Sequence, residues 1–340
     1  MEALNAGYLA AAFLCSFALT FLLLRKLIVV LKAKGYVGVD DHKPGNVEVP
    51  EMGGIAILAS LLVLGAVTAA AAPWIGVDWR KIAVFMAVVG VVGAIGLVDD
   101  LKTLGGKTKT ALTTLASLPL LVPELMGVPV YTPYPELPFI GRTRLTVLYR
   151  LFLPFSIAIG SNAVNMLDVY NGVMPSTTIL VVVALMVSAA VTGKWEALYL
   201  QAVLLGALVA FWWYNKYPAK VFAGDVGSLT VGAALVALAI IYGQEIVFIV
   251  AFLPFIINGF HSLLTIGGLK ERREIKRPTV TYRELNSLAV NKEEGAPLVL
   301  ASFFLYDGPL KERDLARCFT IVAAYAAVLA IVTSLLYVLG

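Results

Sequence analysis

Two adjacent carboxylates, Asp99 and Asp100, directly follow an apolar run that ends at Val98. The C-terminus of a helix carries about half a negative charge, so two carboxylates there are disfavoured by the dipole and by each other. A cationic group should compensate them, and the same loop carries three lysines. The pattern predicts a site for a cation or a phosphate, although two solvated carboxylates beside Lys102 would explain the pair equally well.

A second polar string lies where the chain leaves another apolar run. Asn162, Asn165 and Asp168 follow one another at intervals of three, so a helix would carry their side chains along one face. Such a face could hold a hard cation, because polar side chains at membrane depth need partners. The alternative is a plain helix end followed by an Asn171-Gly172 turn, which explains that dipeptide but not the other three residues.

Asp225 lies in a glycine-flanked segment, residues 222–228, that leads into a further apolar run. An ordinary helix N-cap formed by Asp225 or Ser228 would explain this segment. A glycine-flanked helix N-terminus also binds phosphate through its free N–H groups, and aspartate ligates the accompanying Mg²⁺. The chain has only two histidines and two cysteines, and these three segments offer oxygen ligands. If the segments form one metal site, oxygen ligands favour Mg²⁺ or Mn²⁺ over zinc.

The composition shows the environment in which these groups must work. The chain has 340 residues, of which 60% are hydrophobic and 14% charged. Soluble domains have about 45–50% apolar and about 25% charged residues. These values exclude a soluble enzyme, a disordered chain and a nucleic-acid-binding domain. We therefore expect an all-α polytopic membrane protein.

Ten apolar runs are long enough to be candidate transmembrane helices, at about 17 to 25 residues for most of them. The fourth and eighth are short. The runs are residues 3–31, 53–73, 82–98, 110–126, 146–162, 176–192, 197–214, 228–243, 246–267 and 316–339.

Ten spans would place both termini on one side of the membrane. The loops after the odd-numbered runs carry eighteen lysines and arginines when Arg317, at the start of the tenth run, is counted with them, and the other loops carry five. Because cytoplasmic loops carry the excess of these residues, we expect both termini outside. In this orientation, the polar candidates all lie on the cytoplasmic side: Asp99, Asp100, Asn165, Asp168 and Asp225.

We expect residues 1–340 to form a single membrane domain, with residues 268–315 as a small cytoplasmic insertion. Within the insertion, the alternating residues 278–282 and the apolar run 297–306 indicate a short strand pair or an interfacial helix. Its basic segment, residues 270–277, could bind lipid headgroups. Three of its arginines could instead clamp a diphosphate, since guanidinium binds phosphate in a bidentate manner. They are Arg272, Arg273 and Arg277.

In these features the chain resembles the polyprenyl-phosphate N-acetylhexosamine-1-phosphate transferase family, from about Glu51 to Arg317. The specific parts are Asp99-Asp100 followed by Lys109, the string 162–172, and Val221-Phe222-Ala223-Gly224-Asp225. Within the family it is most similar to the archaeal and eukaryotic branch that makes dolichyl-diphosphate GlcNAc. The stretches typical of that branch are Pro50-Glu51, residues 115–121 and residues 308–313.

The resemblance implies transfer of a sugar-1-phosphate, here GlcNAc-1-phosphate, from a UDP-sugar to dolichyl or another polyprenyl phosphate, with release of UMP. It implies Mg²⁺ as the cofactor, with Mn²⁺ as the alternative. Carried over residue by residue, it assigns the metal to Asp225 and Asn165. It also places Lys109 at the diphosphate and Asn171 near the uracil.

The remaining candidates have less defined roles. Asp99 or Asp100 is expected to remove a residual proton or to orient the acceptor. Asp168 is a further catalytic candidate, although the eukaryotic enzymes have a small residue there. The other substrate-binding candidates are Glu51, Asn162, Arg272, Arg273 and Arg277.

The implied partners are a UDP-sugar, the lipid phosphate and the bilayer, without nucleic acid; a homodimer is one option for the assembly. The implied location is the plasma membrane of an archaeon rather than the endoplasmic reticulum, with a cytoplasmic active site. Two other classes stay open. A secondary transporter or channel could use the aspartates as a cation site, although the carboxylates lie at one edge and no repeat is visible. A non-catalytic scaffold for glycan assembly would bind UDP-sugars without needing a divalent cation.

Overall fold

The structure is a computed structural model that describes residues 6–43, 45, 47–268, 275–282 and 285–339. The helices are α1 Ala6–Ala33, α2 Gly54–Ile75, α3 Trp79–Lys102, α4 Gly106–Leu115, α5 Leu118–Leu125, α6 Thr146–Leu167, α7 Val173–Val191, α8 Trp195–Asn215, α9 Gly224–Ile241, α10 Glu245–Ala251, α11 Leu253–Ile266, α12 Leu300–Phe304 and α13 Glu312–Leu339. The strands are β1 Val37–Asp40, β2 Val47–Pro50, β3 Glu136–Leu137, β4 Gly141–Arg142, β5 Thr279–Tyr282 and β6 Ser287–Val290.

The predicted class, an all-α polytopic membrane protein, is confirmed. Among the described residues, eight helices are long and apolar enough to cross a membrane. A ninth candidate is the pair α10 and α11, which is bent by 66°. The fourth predicted span, 110–126, differs from expectation because α4 and α5 divide it into helices of 10 and 8 residues. Pro119 favours a new helix start there. The count of ten and the orientation of the termini stay predictions.

The expected strand pair in the insertion is present. Strands β5 and β6 pair antiparallel, with Thr279 opposite Val290. The apolar run 297–306 contains the short helix α12. The strand pair is therefore found, and the insertion also contains a short helix, while an interfacial position for that helix stays a prediction.

A second hairpin, which the sequence analysis did not predict, connects α1 to α2. Strands β1 and β2 pair antiparallel, with Asp40 opposite Val47. The valines at 37 and 39 and at 47 and 49 alternate with other residues, which is the period of a strand. This hairpin brings Asp40, which is 3% exposed, into the folded structure near the ends of two helices from distant parts of the chain.

Helix α9 lies at the centre of the bundle, and every residue from Val226 to Ile241 is buried. Small residues allow its neighbours to approach closely, as is common between membrane helices. A Cβ atom on Gly54 of α2 would lie 2.0 Å from the Cα of Gly227, and one on Gly96 of α3 would lie 2.6 Å from the carbonyl oxygen of Asp225. The N-terminus of α9 is thus fixed beside the C-terminal part of α3.

Candidate active site

The loop before α9 is held by the segment that precedes α2. Phe222 N–H donates to the carbonyl of Pro50 at 2.8 Å, and Gly53 N–H donates to the carbonyl of Phe222 at 2.8 Å. Gly54 N–H donates to the carbonyl of Ala223 at 2.9 Å. The segment of residues 50–54 therefore does more than lead the chain into α2. It fixes the backbone from which Asp225 projects.

Asp100 binds the N-terminus of α9 from the neighbouring helix α3. Its Oδ1 accepts from Asp225 N–H at 2.7 Å, and its Oδ2 accepts from Val226 N–H at 3.0 Å. The positive end of the α9 dipole, and not a lysine, thus compensates the charge of this carboxylate. A Cβ at Gly224, whose φ is +71°, would lie 2.7 Å from Asp100 Oδ2, so only glycine fits there.

The proposed ordinary N-cap at Asp225 or Ser228 is wrong. Ala223 occupies the cap position of α9 and makes no side-chain cap hydrogen bond, while Asp225 is the second residue of the helix. The predicted helix end at Val98 also differs from the structure, because α3 continues to Lys102. A lysine in the last turn complements the helix dipole, and the helix ends where Thr103 adopts φ +47°. Both aspartates therefore lie in the last turn of α3.

Asp99, the other member of the pair, faces Lys109 of α4. Asp99 is 3% exposed and forms an ion pair with the Lys109 ammonium, and its Oδ1 accepts from Leu104 N–H. The Lys109 Nζ also lies 3.1 Å from Asp225 Oδ2. Lys109 is therefore the cationic group that the sequence analysis expected for the pair, but it compensates Asp99 and Asp225.

Asn165 completes the cluster from the last turn of α6. Its Nδ2 donates to Asp225 Oδ1 and to Ser228 Oγ, the latter at 2.9 Å. Four helices thus meet through the side chains of Asp99, Lys109, Asn165 and Asp225. We call these four residues the Lys109 cluster. Asn165 and Asp225 were predicted to share one site, and in the structure the two side chains are in direct contact.

The electrostatics of the Lys109 cluster keep its lysine charged. Burial alone would lower the pKa of the Lys109 ammonium, but the Asp225 and Asp99 carboxylates outweigh burial and raise that pKa above its ordinary value. Two carboxylates face this single ammonium, so the formal charge of the cluster is negative. Its side chains offer carboxylate and amide oxygens, which are the ligands that Mg²⁺ and Mn²⁺ prefer.

Three further candidates lie on α6 or on the segment before α2. Asn162 donates to the carbonyl of Ala158 at 2.8 Å and lies 3.4 Å from Thr113 Oγ1 of α4, so it joins α6 to the helix of Lys109. Asp168 is the partly exposed residue that ends α6, one turn beyond Asn165. Glu51 is exposed, and its backbone N–H donates to the carbonyl of Tyr36 at 3.1 Å.

The structure places Asn171 and Arg277 in a different set of contacts. Asn171 is buried, with its Nδ2 donating to Asp40 Oδ2 at 3.0 Å and its backbone N–H donating to Glu312 Oε1 at 2.9 Å. Arg277 is exposed and pairs with Asp41 at 2.6 Å. Arg272 and Arg273 lie outside the described residues. Asp40 and Glu312 were not predicted as site residues, because only the fold brings them to Asn171.

The structure defines the class of the protein. It is an all-α polytopic membrane protein with a lysine–carboxylate cluster at the ends of its helices. Residues 82–243 match the sequence model of a family described as "Glycosyl transferase family 4". The chain is 30% identical over 333 residues to "Putative glycosyltransferase MJ1113" of Methanocaldococcus jannaschii. The alignment covers 97% of this chain and 96% of that protein. The chain belongs to glycosyl transferase family 4.

A second similar protein has a more specific name. Over 258 residues, 29% of positions are identical to a Saccharolobus solfataricus protein named "Putative UDP-N-acetylglucosamine--dolichyl-phosphate N-acetylglucosaminephosphotransferase". That alignment covers 74% of this chain and 77% of the relative. The match to the family model includes Asp99, Lys109, Asn165 and Asp225, the four members of the Lys109 cluster.

Proposed function

We propose that the protein transfers GlcNAc-1-phosphate from UDP-GlcNAc to dolichyl or another polyprenyl phosphate, with release of UMP. The product would be the lipid-diphosphate sugar on which glycan assembly begins. The observation that carries the proposal is the Lys109 cluster, in which a lysine, two aspartates and an asparagine from four helices meet where those helices begin or end. The name of the Saccharolobus relative supports the choice of substrates.

The position of the cluster suits one water-soluble and one lipid substrate. The phosphate of a polyprenyl phosphate lies at the headgroup level, while the UDP-sugar arrives from the aqueous phase. Side chains at helix ends can reach both. The excess of lysine and arginine in the loops on this side supports a cytoplasmic active site. For an archaeal protein, this is the inner face of the plasma membrane, with both termini outside.

Asp225 and Asn165 are the residues that would hold Mg²⁺ or Mn²⁺. The fit rests on the negative formal charge of the cluster and on its oxygen donors, since a carboxamide can present either its nitrogen or its oxygen. When bound, the cation would supply charge neutralisation for the phosphates of the donor.

The protein's own residues would position and neutralise the reacting groups. A phosphate monoester has a second pKa near 6, so the acceptor is largely ionised at neutral pH and needs no strong base. Lys109, which stays protonated, would stabilise negative charge on the transferring phosphoryl group. Asp99 would accept a residual proton or orient the acceptor. Both oxygens of Asp100 bind backbone N–H groups, so Asp100 is assigned to holding α9.

The remaining candidates are proposed to bind substrate around this centre. Asn162 and Glu51 approach it from α6 and from the segment before α2. Asn171, Arg277 and the two arginines outside the described residues would bind the nucleotide part of the donor. Asp168 keeps only a proposed supporting role, because it lies one turn beyond Asn165 at the end of α6.

The test is turnover of radiolabelled UDP-GlcNAc with dolichyl phosphate by purified Asp225→Ala, measured as UMP release with and without EDTA. We expect a loss of at least about 100-fold, since one well-placed electrostatic group is worth about that much. Asp314→Asn is the matched control, because Asp314 pairs with Arg317 on the surface of α13. Turnover within about threefold of the parent for Asp225→Ala would refute the metal assignment. Cation uptake by proteoliposomes without UMP release would instead indicate a transporter.

A further inference from the structure

We propose that Asp40, His42 and Glu312 form a second metal site, for Zn²⁺, outside the Lys109 cluster. The three side chains each offer one ligand atom, and these atoms all lie within 4.8 Å of one another. His42 Nδ1 lies 3.9 Å from Glu312 Oε1. Asp40 and Glu312 are 3% and 4% exposed, so two carboxylates are buried beside one imidazole.

Three distant parts of the chain meet at this site. Asp40 ends strand β1, His42 follows it in the hairpin, and Glu312 begins α13. Between them lies the turn before α7, whose Asn171 bonds to both carboxylates. The His42 ring also packs against Tyr170, with ring centroids 4.9 Å apart. A bound ion would therefore join the first hairpin to the start of the last helix.

Unsatisfied oxygens at the site point to a ligand. Within the part of the chain that the structure describes, Glu312 Oε2 and Asn171 Oδ1 are buried and have no hydrogen-bond partner. Asn171 is 5% exposed, so neither residue can turn this oxygen to bulk water. A buried acceptor without a donor costs about 1 to 3 kcal/mol. Both atoms are acceptors, so the group that satisfies them has to be a cation or a donor.

The charges at the site also favour a cation. Lys43 pairs with Asp40 and neutralises one of the two carboxylates. Its ammonium also lies over the ring of Tyr217, 5.1 Å from the centroid. Within the described residues, the Glu312 carboxylate forms no ion pair with a lysine or arginine, and its Oε1 lies 3.9 Å from His42 Nδ1. Two buried carboxylates thus share one paired ammonium, that of Lys43.

The donor set selects the metal. One imidazole nitrogen with two carboxylate oxygens suits Zn²⁺, whereas Mg²⁺ prefers oxygen alone. Water could provide a fourth ligand. Ligand atoms about 2.1 Å from a tetrahedral zinc ion lie about 3.4 Å apart, so the three side chains would need to close by about 1 Å. His42 has 16% side-chain exposure and gives the ion a path from the aqueous surface.

The test is zinc binding by purified full-length protein without a polyhistidine tag. The protein is stripped with EDTA, dialysed, titrated with Zn²⁺, and analysed for bound metal by plasma mass spectrometry. We expect one tightly held Zn²⁺ per chain in the parent. His42→Ala and Glu312→Gln should bind it at least about 100-fold more weakly, because loss of a ligand exceeds the effect of losing an outer-shell partner.

The chain provides a matched control, since its only other histidine is His261. His261→Ala should keep the zinc, as should Asp225→Asn in the Lys109 cluster. Co²⁺ bound to the parent should give the visible absorption bands of a four-coordinate site, and added Zn²⁺ should abolish these bands. This measurement does not depend on the folding of any variant. A parent that retains no Zn²⁺, or equal loss in His42→Ala and His261→Ala, would overturn the proposal. Zinc binding is measured without substrates, so its result is independent of the proposed transferase activity.

Discussion

Asp99 and Asp100 are neighbours in sequence, but their carboxylates have different partners in the structure, and a pair of substitutions separates the roles proposed for them. Asp100→Asn removes the charge that both backbone N–H groups of α9 contact. Asp99→Asn removes the carboxylate that pairs with Lys109. The first change should mainly destabilise the fold, and the second should mainly reduce turnover.

The magnitude follows from the contacts of Asp100. A hydrogen bond to a charged group contributes about 1.5 to 3 kcal/mol, and a partly buried charge at a helix terminus contributes up to about 2 kcal/mol. Asparagine keeps one acceptor oxygen, so we expect Asp100→Asn to lower the free energy of unfolding by about 3 kcal/mol. With an unfolding entropy of about 2.1 cal/mol/K per residue, this loss lowers the melting temperature of a chain of this length by about 4 °C.

The assay is thermal unfolding in detergent, monitored by intrinsic fluorescence, next to UMP release at a temperature well below melting. Asp99→Asn should lose less than about half as much stability, because its Oδ1 can still accept from Leu104 N–H. Its turnover should fall by at least about tenfold, as expected for a proton-accepting or orienting group. If Asp100→Asn melted within about 1 °C of the parent while Asp99→Asn melted lower, the assignment of Asp100 to holding α9 would be refuted.

Three other predictions concern single contacts. Lys109→Met should reduce turnover at least about 100-fold in the UMP-release assay, because the positive charge stabilises the transferring phosphoryl group. Lys109→Arg should recover part of this activity. A methionine variant as active as the parent would contradict this role. Gly224→Ala should lower the melting temperature about as much as Asp100→Asn, since its φ is +71° and its Cβ would meet the Asp100 carboxylate; an unchanged melting curve would show that α9 can shift freely. Arg277→Ala should raise the KM for UDP-GlcNAc by less than about tenfold without changing thermal unfolding, because its pair with Asp41 is exposed; a large loss of stability would contradict a binding role.

The position of the candidate site could be inferred from sequence because charged groups in an apolar chain are few and costly. Asp99, Asn165 and Asp225 were singled out as polar residues next to apolar runs, and Lys109 through the family resemblance. In the structure, Lys109 contacts Asp99 and Asp225, and Asp225 contacts Asn165. The strand pair in the insertion was also predictable, from alternation over residues 278–282. The division of the fourth run into α4 and α5 was not, since length and apolar character alone do not show where a helix breaks.

Which groups compensate which charges could not be read from the sequence. The lysines following Asp99-Asp100 were expected to neutralise the pair, yet Asp100 is met by backbone N–H groups more than 120 residues away. The residue types do not show which backbone N–H groups at a helix terminus will bind a carboxylate. Likewise, nothing in the sequence connects Asp40 and His42 with Glu312, although the fold places their ligand atoms within 4.8 Å.

Apolar runs and isolated charges were sufficient to predict that the protein is a bundle of apolar helices and that several polar residues lie at the ends of those helices. This is so because hydrophobicity and charge act locally along the chain. The tertiary structure alone decided that Asp100 holds α9, that Lys109 bridges Asp99 and Asp225, and that a hairpin aspartate reaches the start of α13. Such pairings depend on how helices cross, and in this bundle the crossings are set by glycines that allow backbones to approach.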